Sequence, residues 1–248
     1  MELIELVNYT GQLLEVSRFR DYCPNGLQVE GRAQVRRIVT GVSASLSLLE
    51  AATGKGADAI LVHHGWFWKS DEARVTGVRK KRLAYLLERD ISLMAYHLPL
   101  DAHPEWGNNA CLGKLLGLKI EGWFGEQQIA AVGEWGQGGN LAEFAALVED
   151  CLERQPLVIG DLSRKVRKIA WCSGAAQDYL GQAIELGVDV YLTGEISEHT
   201  VHLSRESGVA FIAAGHHATE RYGIKALGDH LAGRFGIECE FIDMHNPV

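Results

Sequence analysis

Apolar runs alternate with amphipathic stretches along most of the chain, and three of these runs end on a histidine. Ala59-Ile60-Leu61-Val62 leads straight into His63-His64, the run over 91–96 into His97, and the run over 209–214 into His216. Strand-like and helix-like segments take turns, which predicts an α/β fold with a largely parallel sheet in each of two lobes. In open α/β sheets the strand ends are where ligands bind, so the position of these histidines already carries functional information.

The alternation repeats itself. Shifted by 131 residues, Arg36-Arg37-Ile38 falls on Arg167-Lys168-Ile169 and Gly56-Ala57-Asp58-Ala59 on Gly187-Val188-Asp189-Val190. Each copy reads as a strand, a helix, a Gly-x-Asp turn and a second strand. The first copy covers 38–43, 46–55 and 59–63, and the second 169–174, 176–186 and 190–194. A second register, shifted by 119, places His97 on His216 and Asp101 on Glu220; the offset between the two registers is the extra loop 66–77 of the first copy. The expectation is two similar, interlinked lobes from an internal duplication, 1–125 and 126–248, with a site in the cleft between them. The second lobe includes a strand–helix–strand insert at 129–161, with Asn140 as a helix N-cap and no obvious chemistry.

His97-x-x-x-Asp101 and His216-x-x-x-Glu220 each place a carboxylate four residues after an imidazole. On a helix that spacing puts both groups on one face. Imidazole with carboxylate is the donor set of a borderline divalent cation such as zinc, manganese, iron or cobalt. His63 and His64 add two more donors if the strand ends there, and Gly65 is read as the residue permitting the turn. In the register of the repeat, His63 and His64 correspond to Gly194 and Glu195, so the second copy keeps a carboxylate and lacks the paired imidazoles.

Composition narrows the classes. The chain has 248 residues, is 47% hydrophobic and 23% charged, and carries 24 basic against 32 acidic side chains, a net charge of −8. That balance disfavours non-specific nucleic-acid binding. The run Arg79-Lys80-Lys81-Arg82 opens a helix and reads as its solvated face rather than as a phosphate clamp. Five cysteines without a CxxC spacing fit reduced thiols. An acidic N-terminus and the lack of any apolar run of membrane length lead to the expectation of a cytoplasmic protein.

Five ordered segments resemble the NIF-three-like family, whose bacterial members are often labelled type-two GTP cyclohydrolase I homologues. They are Asn25-Gly26-Leu27-Gln28-Val29, Val62-His63-His64-Gly65, His97-Leu98-Pro99-Leu100-Asp101, Leu192-Thr193-Gly194-Glu195 and Ala214-Gly215-His216-His217-Ala218-Thr219-Glu220. The resemblance covers essentially the whole chain and is closest to the short bacterial form. It implies a dinuclear metal centre between two α/β lobes and a ring-shaped homohexamer, a trimer of dimers. By motif it makes His63, His64, Asp101, His216 and Glu220 the metal ligands, with His97 an outer or weaker one.

Two cations sharing five protein ligands keep open positions, and a water activated by them is the expected nucleophile. The Gly136-x-Gly138-Gly139 segment lacks the Lys and Ser/Thr of a phosphate loop. Glu195 and His199 are candidates for proton transfer or substrate binding, with a helix-terminal acid and a surface histidine as the plain alternatives. Trp66-Phe67-Trp68 reads as packing, or as a wall for a flat purine or pterin ring. Lys69, Arg74 and Arg221 are candidates for a substrate phosphate. The resulting expectation is a metal-dependent hydrolase of a nucleotide or related compound. A metal-binding adaptor or metallochaperone and a ring-shaped nucleic-acid-associated protein are the alternatives.

Overall fold

The structure, a computed structural model, describes all residues from Met1 to Val248. The first stretch of chain forms α1 (Leu3–Leu13), β1 (Gly26–Val29), β2 (Arg37–Ser43), α2 (Leu46–Gly54), β3 (Ala59–His64), α3 (Gly77–Leu87) and β4 (Ser92–Ala95). There follow α4 (Leu98–Ala102), α5 (Asn108–Leu115), β5 (Leu118–Phe124), β6 (Ala130–Asn140), α6 (Leu141–Leu152), β7 (Leu157–Ile159) and β8 (Lys165–Trp171). The remainder is α7 (Leu180–Glu185), β9 (Val190–Thr193), α8 (Glu198–Ser207), β10 (Ala210–Ala213), α9 (His216–Thr219), α10 (Arg221–Phe235) and β11 (Glu238–Phe241). None of the helices is long and apolar enough to cross a membrane.

The elements make two compact units, Met1–Leu100 with Ile224–His245 and Asp101–Gly223 with Asn246–Val248. The division thus falls at 100/101 and 223/224 rather than at the expected 125/126. The physical reason is β11, which pairs in parallel with β2 and draws the C-terminal segment into the first unit.

The first unit holds a five-stranded sheet in the order β1-β4-β3-β2-β11, parallel except for the edge strand β1. Alternation along β3 explains its two-sided burial. Ala59 and Leu61 belong to the cluster with Leu6, Ile224 and Leu227, whereas Ile60 and Val62 belong to the one with Leu48, Leu49 and Leu86. All four are inaccessible to solvent, so the strand reads as one unbroken apolar run.

The second unit holds a six-stranded sheet in the order β5-β6-β8-β9-β10-β7. Only β8, β9 and β10 are mutually parallel; β5, β6 and β7 run antiparallel to their neighbours. The sheet is therefore mixed, not largely parallel. The segment 129–161 is no appendage to it. β6 lies between β5 and β8, and α6 buries Phe144, Val148 and Leu152 in the unit's main core. Asn140 caps α6 as expected, its side chain taking the Glu143 N–H at 2.9 Å while Glu143 returns the bond to the Asn140 N–H at 2.8 Å.

Candidate metal centre

In the first unit the two histidines at the end of β3 converge. Their ring centroids are 4.5 Å apart, and His97, just past β4, lies 5.1 and 5.6 Å from them. One ligand atom from each of the three comes within 4.8 Å of the others, as a shared cation requires. His64 is still paired with Ser43 in the sheet, so the strand runs through both residues before it stops. Gly65 does not supply a left-handed turn. It supplies space, because a Cβ there would sit 2.3 Å from the Gln28 Oε1 that accepts the Trp66 N–H.

Each imidazole is held from behind. The Nδ1 of fully buried His63 donates to the Tyr96 carbonyl at 2.9 Å. The Nδ1 of His97 donates to Asp21 Oδ1 at 2.7 Å, and His64 Nδ1 lies 3.1 Å from the Ser43 hydroxyl. The carbonyl and the carboxylate can only accept, so they fix the tautomers of His63 and His97 that present Nε2 as the ligand nitrogen. Asp21 is itself pinned by Asn25 Nδ2 at 2.8 Å and the Leu98 N–H at 3.0 Å. Burial alone would raise its pKa, but the bonds from His97, Asn25 and Leu98 outweigh it and bring the carboxyl down to about 2. No sequence pattern singles out Asp21; it lies 76 positions from its histidine and follows no spacing rule.

The candidate donors of the second unit are two carboxylates and an imidazole. Asp101 is 7% exposed, and its Oδ1 accepts from Asn108 Nδ2 at 2.9 Å and from the Ser173 hydroxyl at 3.1 Å. His216 opens α9 and Glu220 follows it, with Nε2 and Oε2 3.3 Å apart as the four-residue spacing predicts. Gly174 makes room for this pair. Its φ is +67°, and a Cβ there would meet Glu220 Oε1 at 2.3 Å and His216 Nε2 at 3.3 Å. Here the imidazole is held by Glu195, whose Oε1 accepts the His216 Nδ1–H at 2.6 Å.

The donor set fits a cation. Burial works against charging His216, but Glu220 and Glu195 together raise it to about 9. Burial and the negative charge of Asp101 and Glu220 push the nearby Cys172 thiol well up. Nitrogen and oxygen donors of this kind suit zinc, manganese, iron or cobalt.

The other candidates have partners of their own. His199 on α8 is exposed and lies 3.3 Å from the still more exposed Asp178. Glu195 is not the cap of α8, whose N-cap is Ser197; it is the residue that orients His216. His217 is turned into the unit, its N–H on the Val248 carbonyl at 3.1 Å. Arg221 is engaged by the Leu152 carbonyl at 2.6 Å, and Arg74 by Glu72 at 3.0 Å. Lys69 is exposed, with its backbone N–H on the Tyr22 carbonyl. Trp66 packs in the core with its indole N–H on the Ala44 carbonyl, whereas Trp68 meets His97 edge-on at 5.0 Å. All five cysteines are unpaired thiols.

Comparison with known proteins matches this arrangement over its whole length. The family model for Duf34/NIF3 (NGG1p interacting factor 3) covers residues 1–247. A "GTP cyclohydrolase 1 type 2 homolog" of Pseudomonas aeruginosa is 55% identical over 249 residues, 99% of this chain and 98% of that protein. Its namesake in Neisseria meningitidis serogroup B is 50% identical, covering 98% of each. The solved structure of protein ybgI, described as of unknown function, matches with a TM-score of 0.97 at 45% identity over 100% of both chains. That of TTHA1606 from Thermus thermophilus matches at 0.91 and 34%, again over 100% of both chains. The chain belongs to the Duf34/NIF3 family.

Proposed function

We propose that the chain is a metal-dependent hydrolase of a nucleotide or related purine or pterin compound. Two divalent cations would be held through His63, His64, Asp101, His216 and Glu220. One observation carries the reading: His63, His97 and His216 each have Nδ1 against an oxygen that can only accept, so Nε2 is the nitrogen offered to a metal. Restraint of that kind is what a preorganised ligand set needs and what a solvated histidine does not.

When bound, the ions would lower the pKa of a water and stabilise negative charge on the attacked group. The chain's own residues do the rest. Asn108 and Ser173 fix the Asp101 carboxylate, and Asp21 and Asn25 fix His97 from its side chain and its backbone N–H. Glu195 holds His216 through Oε1 and is itself half-buried, which leaves its second oxygen as the candidate for proton transfer. Trp68, edge-on to His97, offers an aromatic face of the kind a flat base stacks on. The name carried by the relatives, GTP cyclohydrolase 1 type 2 homolog, favours the same substrate class.

The test is metal content followed by turnover. Elemental analysis of protein purified without chelator is expected to approach two equivalents, and metal-loaded protein is then screened against nucleotides, cyclic nucleotides and pterin precursors. Hydrolysis should disappear with chelator, in Asp101→Asn and in Glu220→Gln. Metal near zero after reloading, or variants as fast as wild type, overturns the reading. Full loading without turnover on any of these compounds transfers the assignment to a metal-binding adaptor or metallochaperone. Assembly as a ring-shaped homohexamer belongs to the same proposal and is read by sedimentation.

A further inference from the structure

The basic run at the start of α3 does not lie wholly in solvent. Lys80 and Lys81 are exposed, but Arg79 and Arg82 are half-buried, and both line a surface cavity of about 310 Å³ within the first unit. Trp66, Arg74, Thr76 and Val78 complete its wall, with Asp71 and Glu72 at the same cavity. Three guanidiniums against two carboxylates leave one positive charge in a chain whose net charge is −8.

The pairing inside the cavity is unequal. Arg79 meets Asp71 at 2.8 Å and Arg74 meets Glu72 at 3.0 Å. The Nε of Arg82 is buried and has no hydrogen-bond partner. A buried guanidinium N–H left unmatched is costly, and a ligand oxygen would relieve that cost. Arg79 is also held in place: its Cζ lies 5.5 Å over the ring of Phe67, a residue kept in left-handed backbone at φ 66°. A bulky residue in that region is strained, and such strain collects where a loop is shaped for a ligand.

Helix α3 adds to the same field. Thr76, its N-cap, makes no side-chain cap, and the first helical bond runs from the Lys80 N–H to the Thr76 carbonyl at 3.2 Å. The N–H groups ahead of that bond carry the positive end of the helix dipole, which favours an anion. Guanidinium forks with a helix N-terminus suit the tetrahedral oxygens of phosphate. The volume has room for a phosphate with a small organic group, and a cavity of this size does not follow a polymer backbone.

We propose that this cavity binds the phosphate of a small phosphomonoester, with Arg82 and Arg79 as the principal donors. The site uses none of the metal ligands, so it stands independently of whether the chain is a hydrolase. Inorganic phosphate and phenyl phosphate, titrated calorimetrically into the full-length protein, test it. Arg82→Met keeps the apolar stem and should weaken both probes roughly tenfold or more, the loss of a charged hydrogen-bonding group. Arg82→Lys keeps the charge without the fork and should give an intermediate loss, which preserves the test if the methionine variant folds poorly. Arg205→Met, an exposed arginine on α8, should leave both affinities unchanged. Wild-type binding in both Arg82 variants overturns the proposal. So does a loss that follows Glu220→Gln instead, which would put the anion at the metal centre, or an equal loss in Arg205→Met, which would make it a general surface effect.

Discussion

The two copies of the strand–helix–strand repeat close their turns with the same hydrogen bonds and end in different chemistry. In the first, Asp58 Oδ2 accepts the N–H groups of Arg36 and Arg37 at 2.8 and 3.1 Å; in the second, Asp189 Oδ2 accepts those of Arg167 and Lys168, both at 2.9 Å. The Arg37 side chain reaches the Lys55 carbonyl and the Lys168 side chain reaches the Leu186 carbonyl, again 131 residues on. At the end of the second strand the chemistry diverges. The first copy places His64 where the second has Glu195, and that exchange decides where the histidine that follows finds its supporting acid. In the second unit the carboxylate that orients His216 comes from the repeat itself. In the first unit that position carries the His64 imidazole, and the acid that orients His97 is Asp21, ahead of the repeat. Turn architecture and site chemistry have thus been inherited separately.

Removing a donor from either copy breaks the comparison at its strongest point. His63→Ala and Glu220→Gln are each expected to lose at least one equivalent of metal by elemental analysis, while His217→Ala keeps the wild-type value. Loss in one of the two donor variants only would show that a single copy holds the metal. The supporting acids come next. Asp21→Asn and Glu195→Gln should each weaken metal affinity roughly 10–100-fold without changing the number of ions, read by competition with a chromogenic chelator. A large effect at Asp21 with none at Glu195 would mean that His97 binds metal directly and that Glu195 serves another step.

The shared turn gives a smaller effect, seen in stability alone. Asp58→Ala should cost about 2 kcal/mol and Asp189→Ala about 1 kcal/mol, from urea midpoints, because each leaves two strand N–H groups without their acceptor. The asymmetry has a cause: Asp58 is the more buried and holds Arg32 at 2.9 Å, whereas Asp189 is a third exposed and meets Arg164 only at 3.7 Å. Equal losses would argue that the closer ion pair contributes nothing.

Local patterns reveal about half of this arrangement. The strand–histidine junctions, the Gly-x-Asp turns, the Asn140 cap and the His216/Glu220 spacing all follow from periods of two and 3.6 residues. What stays hidden depends on pairing between distant segments. The sequence pattern ends β6 before its glycines, yet the strand resumes ladder bonding to β8 at Gly139 and Asn140 beyond an irregular register. β11 is a short, half-exposed edge strand with nothing in its composition to announce it. The strand register also hides a one-residue slip. Ser92 and Ala210 occupy matching ladder positions 118 apart, while His97 and His216 are 119 apart. Gly215, at φ +100°, lies in the junction that holds this additional residue.

The smallest effect separates the two histidine–carboxylate pairs by pH, in metal-free protein. Asp21 falls to about 2 in the folded chain from the ordinary value of 3.8, so its contribution is complete above 3.8 and is lost as pH drops through 2. His216 rises to about 9 from 6.5, so its contribution is complete below 6.5 and is lost as pH climbs through 9. The first pair therefore fails in acid and the second in alkali. For His216, partly exposed and coupled to two acids, the loss should be about 1–2 kcal/mol between those limits. Urea midpoints of chelated protein at pH 6 and pH 9 measure it. Glu220→Gln should flatten the alkaline slope and leave the acid side unchanged, whereas Asp21→Asn should do the reverse. A variant that changed both slopes would show that the two pairs act as one electrostatic unit.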